Sequence, residues 1–189
     1  ITKRVTDRVK AWYAKRFPDK KFTEVQKKFN ELKRETGILF HGYFEEIHAR
    51  YFNEDGTRRV KPLSRAVIKN RENEAAYVKI EEYYKDLLKL IPEDSLILSE
   101  VIIFDDVEKE AGTIDFLAIE PSGKAHILDW KFMNVPETSN DVAWFKQNAY
   151  GIQLGRYKEI LQKRYGIKEF GMIRAIPFLM EFRKSGIKQ

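Results

Sequence analysis

The chain contains no cysteine, so disulfide bridges, cysteine-ligated zinc and iron–sulfur clusters are all excluded within its 189 residues. It also lacks any apolar run approaching the roughly 18 residues needed to cross a bilayer. The opening Ile1-Thr-Lys-Arg-Val-Thr-Asp7 carries no apolar signal-peptide core. Internal repeats and low-complexity segments are missing as well. These absences lead us to expect a soluble protein of the cytoplasm or another intracellular setting, without a membrane partner. The start at Ile1 in place of Met fits a domain taken from a longer protein. What is present is a hydrophobic fraction of 43%, enough for a sizeable core, and a charged fraction of 34% with the two signs well mixed. Lys and Arg outnumber Asp and Glu by 35 to 29, a net charge of +6 that suits a polyanion such as nucleic acid.

Along the first 90 residues the apolar positions follow helical spacing. Val5, Val9, Trp12 and Tyr13 form one stripe, and Phe22, Val25, Phe29 and Leu32 a second. Thr36-Gly37 reads as a break, with a third helix from Ile38 to Tyr51 and a fourth from Arg71 to Leu90, ended by Pro92. The period then changes. Leu96 to Phe104, Thr113 to Ile119 and Ala125 to Phe132 are β-rich runs with hairpin-length links, which predicts an antiparallel meander. A helix over about Asp141 to Tyr165 and a strand over Phe170 to Phe178 complete a mixed α/β sheet domain. Residues 1–92 form an N-terminal helical elaboration and 93–189 the sheet core, together one compact domain.

Two of the β-rich runs carry acids in apolar surroundings. Asp129 and Lys131 are two positions apart in Ile127-Leu-Asp-Trp-Lys-Phe-Met-Asn134, so a strand turns both to one face. Asp115 interrupts Gly112-Thr-Ile-Asp-Phe-Leu-Ala118 on the preceding strand. Each feature alone has a bland explanation: an edge-strand acid for Asp115, an ion pair for Asp129 and Lys131. Together they bring two carboxylates to adjacent strands about 4.8 Å apart, where repulsion calls for a cation or a shared proton. A divalent metal meets that need, since Mg²⁺ takes one or two carboxylates plus waters and phosphate oxygens. Lys131 is then placed to orient a water or to offset charge on a phosphate.

Asp115 followed by Asp129-Trp-Lys131 resembles the D...(D/E)xK signature of the PD-(D/E)XK nucleases, which have a restriction-endonuclease-like mixed sheet flanked by helices. Gln153-Leu-Gly-Arg-Tyr157 resembles the QxxxY motif of the RecB-like branch, and Gly37-Ile-Leu-Phe-His41 its upstream Gly-x3-His helix. Glu100 stands on the strand before Asp115, where that branch often has an acid. The resemblance runs from Gly37 to Phe178. It implies Mg²⁺ or Mn²⁺ bound by His41, Glu100, Asp115, Asp129 and the Trp130 carbonyl, with Lys131 serving the chemistry and Gln153 and Tyr157 lining the site. The cysteines that hold an iron–sulfur cluster in some relatives are absent.

Other residues keep two readings. His41 and Glu45 share a helix face, as a solvated pair or as part of the site. Gln153 and Tyr157 share another, where simple amphipathicity would also place them. Trp144, Phe145 and Tyr150 suit core packing or base stacking; Lys146, Arg156, Lys158 and Lys163 suit phosphate contact or a solvated face. His48 is expected on a helix surface and His126 on a strand surface. The expected function is hydrolysis of DNA phosphodiester bonds by a metal-dependent nuclease, with DNA repair or recombination as its setting. The alternatives are a catalytically silent nucleic-acid-binding module within a helicase or recombination complex, and an interaction domain whose sheet acids form an ordinary ion-pair network.

Overall fold

The computed structural model describes residues 3–16, 18, 23–68, 71–134 and 140–180. The expectation for Phe22 lies outside these residues, and for Val25, Phe29, Trp144, Phe145 and Lys146 only the backbone is described. In chain order the elements are β1 (Lys3–Arg4), α1 (Val5–Arg16), α2 (Glu24–Tyr51), α3 (Arg71–Leu88), β2 (Leu96–Asp105), β3 (Glu110–Ile119), β4 (Ala125–Asn134), α4 (Asn140–Tyr165) and β5 (Phe170–Met180). β2, β3 and β4 form the antiparallel meander, and β5 adds in parallel to β4 after α4. The result is a mixed sheet flanked by helices. Pro177 lies in β5, at the sheet margin, where a residue without an N–H is tolerated.

α2 is one helix of 28 residues, so Thr36-Gly37 does not break it. A capping box opens it: the Thr23 hydroxyl accepts the Gln26 N–H, and the Gln26 side chain accepts the Thr23 N–H. A glycine inside a helix costs about 1 kcal/mol relative to alanine, and a helix already nucleated on both sides absorbs it. The sequence reading also missed β1. Its two residues pair in parallel with β3, Lys3 opposite Glu110 and Arg4 opposite Ala111.

Two apolar layers cover the sheet. On one face Phe44 and Ile47 of α2 and Tyr77, Ile80 and Tyr84 of α3 pack on Ile97, Phe116, Ala118, Leu128 and Trp130. On the other, Val5 of α1 and Leu154, Tyr157, Ile160 and Leu161 of α4 pack on Ile103, Ile114, Leu117, Ala125 and Ile127. Burying a large side chain of this kind contributes about 2–3 kcal/mol. Trp130 stacks on Phe44 with ring centroids 4.2 Å apart, and Phe132 stacks on Phe40 at 4.9 Å. These rings fix β4 on the α2 layer, so alternation sends Asp129 and Lys131 toward α4.

His48 and His126 are not surface residues. The His48 ring stacks on Phe52, and its Nδ1 lies 2.8 Å from the Tyr84 hydroxyl. Burial holds its pKa down at about 4, which keeps it neutral. His126 is buried under β5, where its Nδ1 accepts the Met172 N–H at 3.1 Å and its Nε2 meets Glu120 at 2.7 Å. An irregularity in the β4–β5 register between Ala125 and Ile127 accommodates the ring, and Gly171 leaves it room: a Cβ there would come within 2.4 Å of it.

Candidate active site

The site is a fork in the sheet. The β3–β4 ladder pairs Ile119 with Ala125 through to Phe116 with Leu128 and stops there. One residue further, the Asp115 carboxylate replaces a ladder partner: its Oδ2 accepts the Trp130 N–H at 2.7 Å. β4 meanwhile continues against β5, with Asp129 opposite Ala175 and Lys131 opposite Pro177. The carboxylate therefore ties the diverging strand to the strand it leaves.

The pleat of the sheet also changes phase at this level. Ile114 and Leu117 both pack in the α4 layer although they are three apart, and Leu98 and Val101 of β2 do the same. Regular alternation would place each pair on opposite faces. Glu100 and Asp115 are the residues left out of the β2–β3 pairing, which passes from Ser99–Phe116 to Val101–Ile114. Glu100 has a φ of 52°, a left-handed backbone that costs a non-glycine residue about 1–2 kcal/mol. Strain of this kind is held in place by its surroundings and clusters at functional sites.

Three side chains converge at this point from three elements. His41 Nδ1 of α2 lies 3.8 Å from Glu100 Oε1 and 3.8 Å from Asp115 Oδ2. One ligand atom from each of the three falls within 4.8 Å of the others, a group able to hold a metal ion. The open fork is what lets a residue of the α2 layer reach carboxylates of the sheet. Asp129 is buried beside them with a different set of partners. Its Oδ2 meets the Lys131 ammonium as a close ion pair but receives no directed hydrogen bond, and its Oδ1 accepts from Gln153 Nε2 at 3.3 Å. Gln153 also donates to the Tyr157 hydroxyl at 2.7 Å, so the α4 face that carries both is turned to the carboxylates. Lys131 lies 5.3 Å over the Tyr150 ring. The Trp130 N–H is committed to Asp115, and its ring is buried in the opposite layer.

Among the described residues the site is short of positive charge. Burial, and then the neighbouring Asp129, push the Asp115 pKa up to about 7 against the pull of His41, Lys131 and the Trp130 N–H. Asp129 is raised by burial, which outweighs the attraction of Lys131. For His41, burial opposes the charged form, but Glu100 and Asp115 outweigh it and raise its pKa. Glu45, exposed on the same helix, is raised by partial burial and by Glu100. The donor set, one imidazole with carboxylate oxygens, suits a hard or borderline divalent ion such as Mg²⁺ or Mn²⁺.

A cleft of about 710 Å³ opens over this group and is lined by His41, Asp115, Asp129, Lys131, Gln153 and Tyr157. It extends along β3 past Gly112 to Lys3, Arg4 and Asp7, residues that sequence reasoning did not connect with the site. Gly112 is needed there because a Cβ would come to 2.5 Å from the Tyr157 ring and 2.9 Å from Val5. Of the cations considered for phosphate contact, Arg156 is not available. Buried at 4% exposure, it pairs with Glu110 and Asp105, each at 2.7 Å, and with Glu159 at 2.8 Å. Lys163 pairs with Glu159, and Lys158 lies over the Phe170 ring. No family model, curated protein or solved structure matches this chain.

Proposed function

We propose that the protein is a metal-dependent nuclease that hydrolyses DNA phosphodiester bonds, built on the restriction-endonuclease-like fold of the PD-(D/E)XK nucleases and closest in its motifs to their RecB-like branch. The observation that carries the reading is the fork between β3 and β4, where buried Asp115 and Asp129 stand with His41 and Glu100 and too little positive charge to balance them. A bound Mg²⁺ or Mn²⁺ would act there as a Lewis acid and lower the pKa of a water. His41, Glu100, Asp115, Asp129 and the Trp130 carbonyl are the groups that would hold it.

The remaining residues have separate tasks. In hydrolysis a water oxygen bonds to phosphorus as the bond from phosphorus to a sugar oxygen breaks; the water gives up a proton and the departing oxygen gains one. Lys131, tethered to Asp129, keeps an ammonium beside that centre, where it orients the water and offsets the charge that grows on the phosphate. Gln153 holds Asp129 and Tyr157 in one chain of hydrogen bonds, which fixes the carboxylate and shapes the wall along which the strand lies. Trp130 anchors β4 so that its neighbours keep these positions. Single-stranded and duplex DNA incubated with Mn²⁺ or Mg²⁺ test the proposal. Cleavage that EDTA abolishes and that Asp115→Asn lacks is expected; metal-independent cleavage, or none with either ion, overturns it.

A further inference from the structure

The cleft is acidic at one end and basic at the other. β2 occupies one edge of β3, and β4 leaves the opposite edge after Phe116. β1 pairs on that vacated edge, at Glu110 and Ala111. Lys3 and Arg4 thus stand five and four residues along β3 from Asp115, a distance of about 13–17 Å at the rise of a strand. That is too far for the reacting phosphate and suited to one that flanks it. Both residues are exposed and line the cleft, and among the described residues no ion pair within 4.0 Å involves either, though the Arg4 charge acts on Asp7. Asp7, the acid at this end, is already engaged: its carboxylate accepts the Arg4 N–H at 2.8 Å and pairs with Lys10 at 3.1 Å. Between the two ends, from Gly112 to Asp115, no strand among the described residues pairs with this edge of β3. The volume of about 710 Å³ is that of a small-molecule pocket. It accommodates a few nucleotides of one strand.

Building on the nuclease reading, we infer that Lys3 and Arg4 hold a backbone phosphate of a single DNA strand, to one side of the phosphate placed at Asp115. The cleft thereby sets the line along which the strand lies over β3.

The test compares the full chain with a Lys3→Ala/Arg4→Ala variant, whose exchanges are at exposed side chains and keep the β1 backbone bonds. Binding of a single-stranded oligonucleotide of about 12 nucleotides is measured in EDTA over a range of salt, and cleavage is measured with Mn²⁺. The expected result is roughly tenfold weaker binding and a salt slope shallower by about one, from the loss of one or two phosphate contacts. KM should rise more than kcat falls. Replacing single linkages by neutral methylphosphonate should locate one position that weakens binding to the wild type and not to the variant. If the wild type binds and cleaves but the variant matches it in affinity and salt slope, the phosphate assignment is wrong and the nuclease reading stands. If the wild type neither binds the strand nor cleaves it, both fall.

Discussion

Two buried clusters of charge lie within one fold, and they are balanced in opposite ways. In the first, Asp105 and Glu110 meet Arg8, Arg156 and Arg164 through contacts of 2.7–3.0 Å. Burial would raise both acids, but hydrogen bonds outweigh it: those from the Glu108 N–H, Arg156, Arg164 and the Val107 N–H hold Asp105 down at about 2, and those from Arg8 and Arg156 lower Glu110. In the second, the cationic groups beside Glu100, Asp115 and Asp129 among the described residues are Lys131 and His41, and both aspartates are pushed up. The first cluster is complete as it stands and joins α1, α4 and the ends of β2 and β3. The second, by contrast, includes a group able to hold a metal ion. Burial and acidity are common to both; what distinguishes the second, among the described residues, is the shortfall of positive charge.

The largest effect that would break this contrast is at Arg156. Its replacement by alanine leaves Glu110 and Asp105 buried with fewer partners, and we predict a loss of about 3 kcal/mol, read as the urea midpoint, while a refolded sample keeps its metal affinity. Next in size is Lys131→Ala. In the proposed nuclease Lys131 serves the chemistry and not the ion, so cleavage should slow by about a hundredfold with metal and DNA binding retained, as kinetics and calorimetry would show. A near wild-type rate would return Lys131 to an ordinary ion-pair role.

A smaller effect sharpens the comparison through pH. Asp115 binds its proton more tightly folded than unfolded, so metal-free stability should fall as pH rises from about 4 to about 7, by up to about 4 kcal/mol. Asp105 and Glu110 are held low, so their contribution is present above the unfolded pKa and is lost as pH falls from about 4 toward 2. Asp115→Asn should flatten the first slope, leaving the part from Asp129, and keep the second. It should therefore stabilise the metal-free protein at pH 8 by about 1–3 kcal/mol while abolishing cleavage. Thermal melts from pH 3 to pH 8 decide this, and a variant that is less stable than wild type at pH 8 would contradict it.

Of the two clusters only the second was legible in the sequence, and in part. The meander and the spacing of Asp115, Asp129 and Lys131 followed from alternation, a local pattern that needs no tertiary information. The convergence of His41, Glu100 and Asp115 did not follow from periodicity; it was suggested by the family resemblance and depends on a fork in the sheet. β1 is too short to show a period, and Gly37 looks like a stop only until the helix around it is known. His48, His126 and Arg156 were read as surface groups because polar residues usually are. His126 and Arg156 are buried and His48 half-buried, each against a partner distant in sequence, Met172, Glu110 and Tyr84 respectively, and no local window contains that fact.

The smallest predicted effect concerns Tyr157. Its ring is packed against Gly112 and its hydroxyl accepts from Gln153, so Tyr157→Phe keeps the packing and removes one bond. A loss of about 0.5–1.5 kcal/mol in transition-state binding is expected from kcat/KM, with metal affinity unchanged.

The central claim is that the unbalanced acids at the fork exist to hold a metal. Crystals soaked in Mn²⁺ and examined by anomalous scattering test it most directly. The account predicts a peak within coordination distance of His41 and Asp115, with Glu100 or Asp129 beside it, and none in crystals of Asp115→Asn soaked in the same way. Density without a peak at the fork, or a peak that persists in the variant, would contradict it.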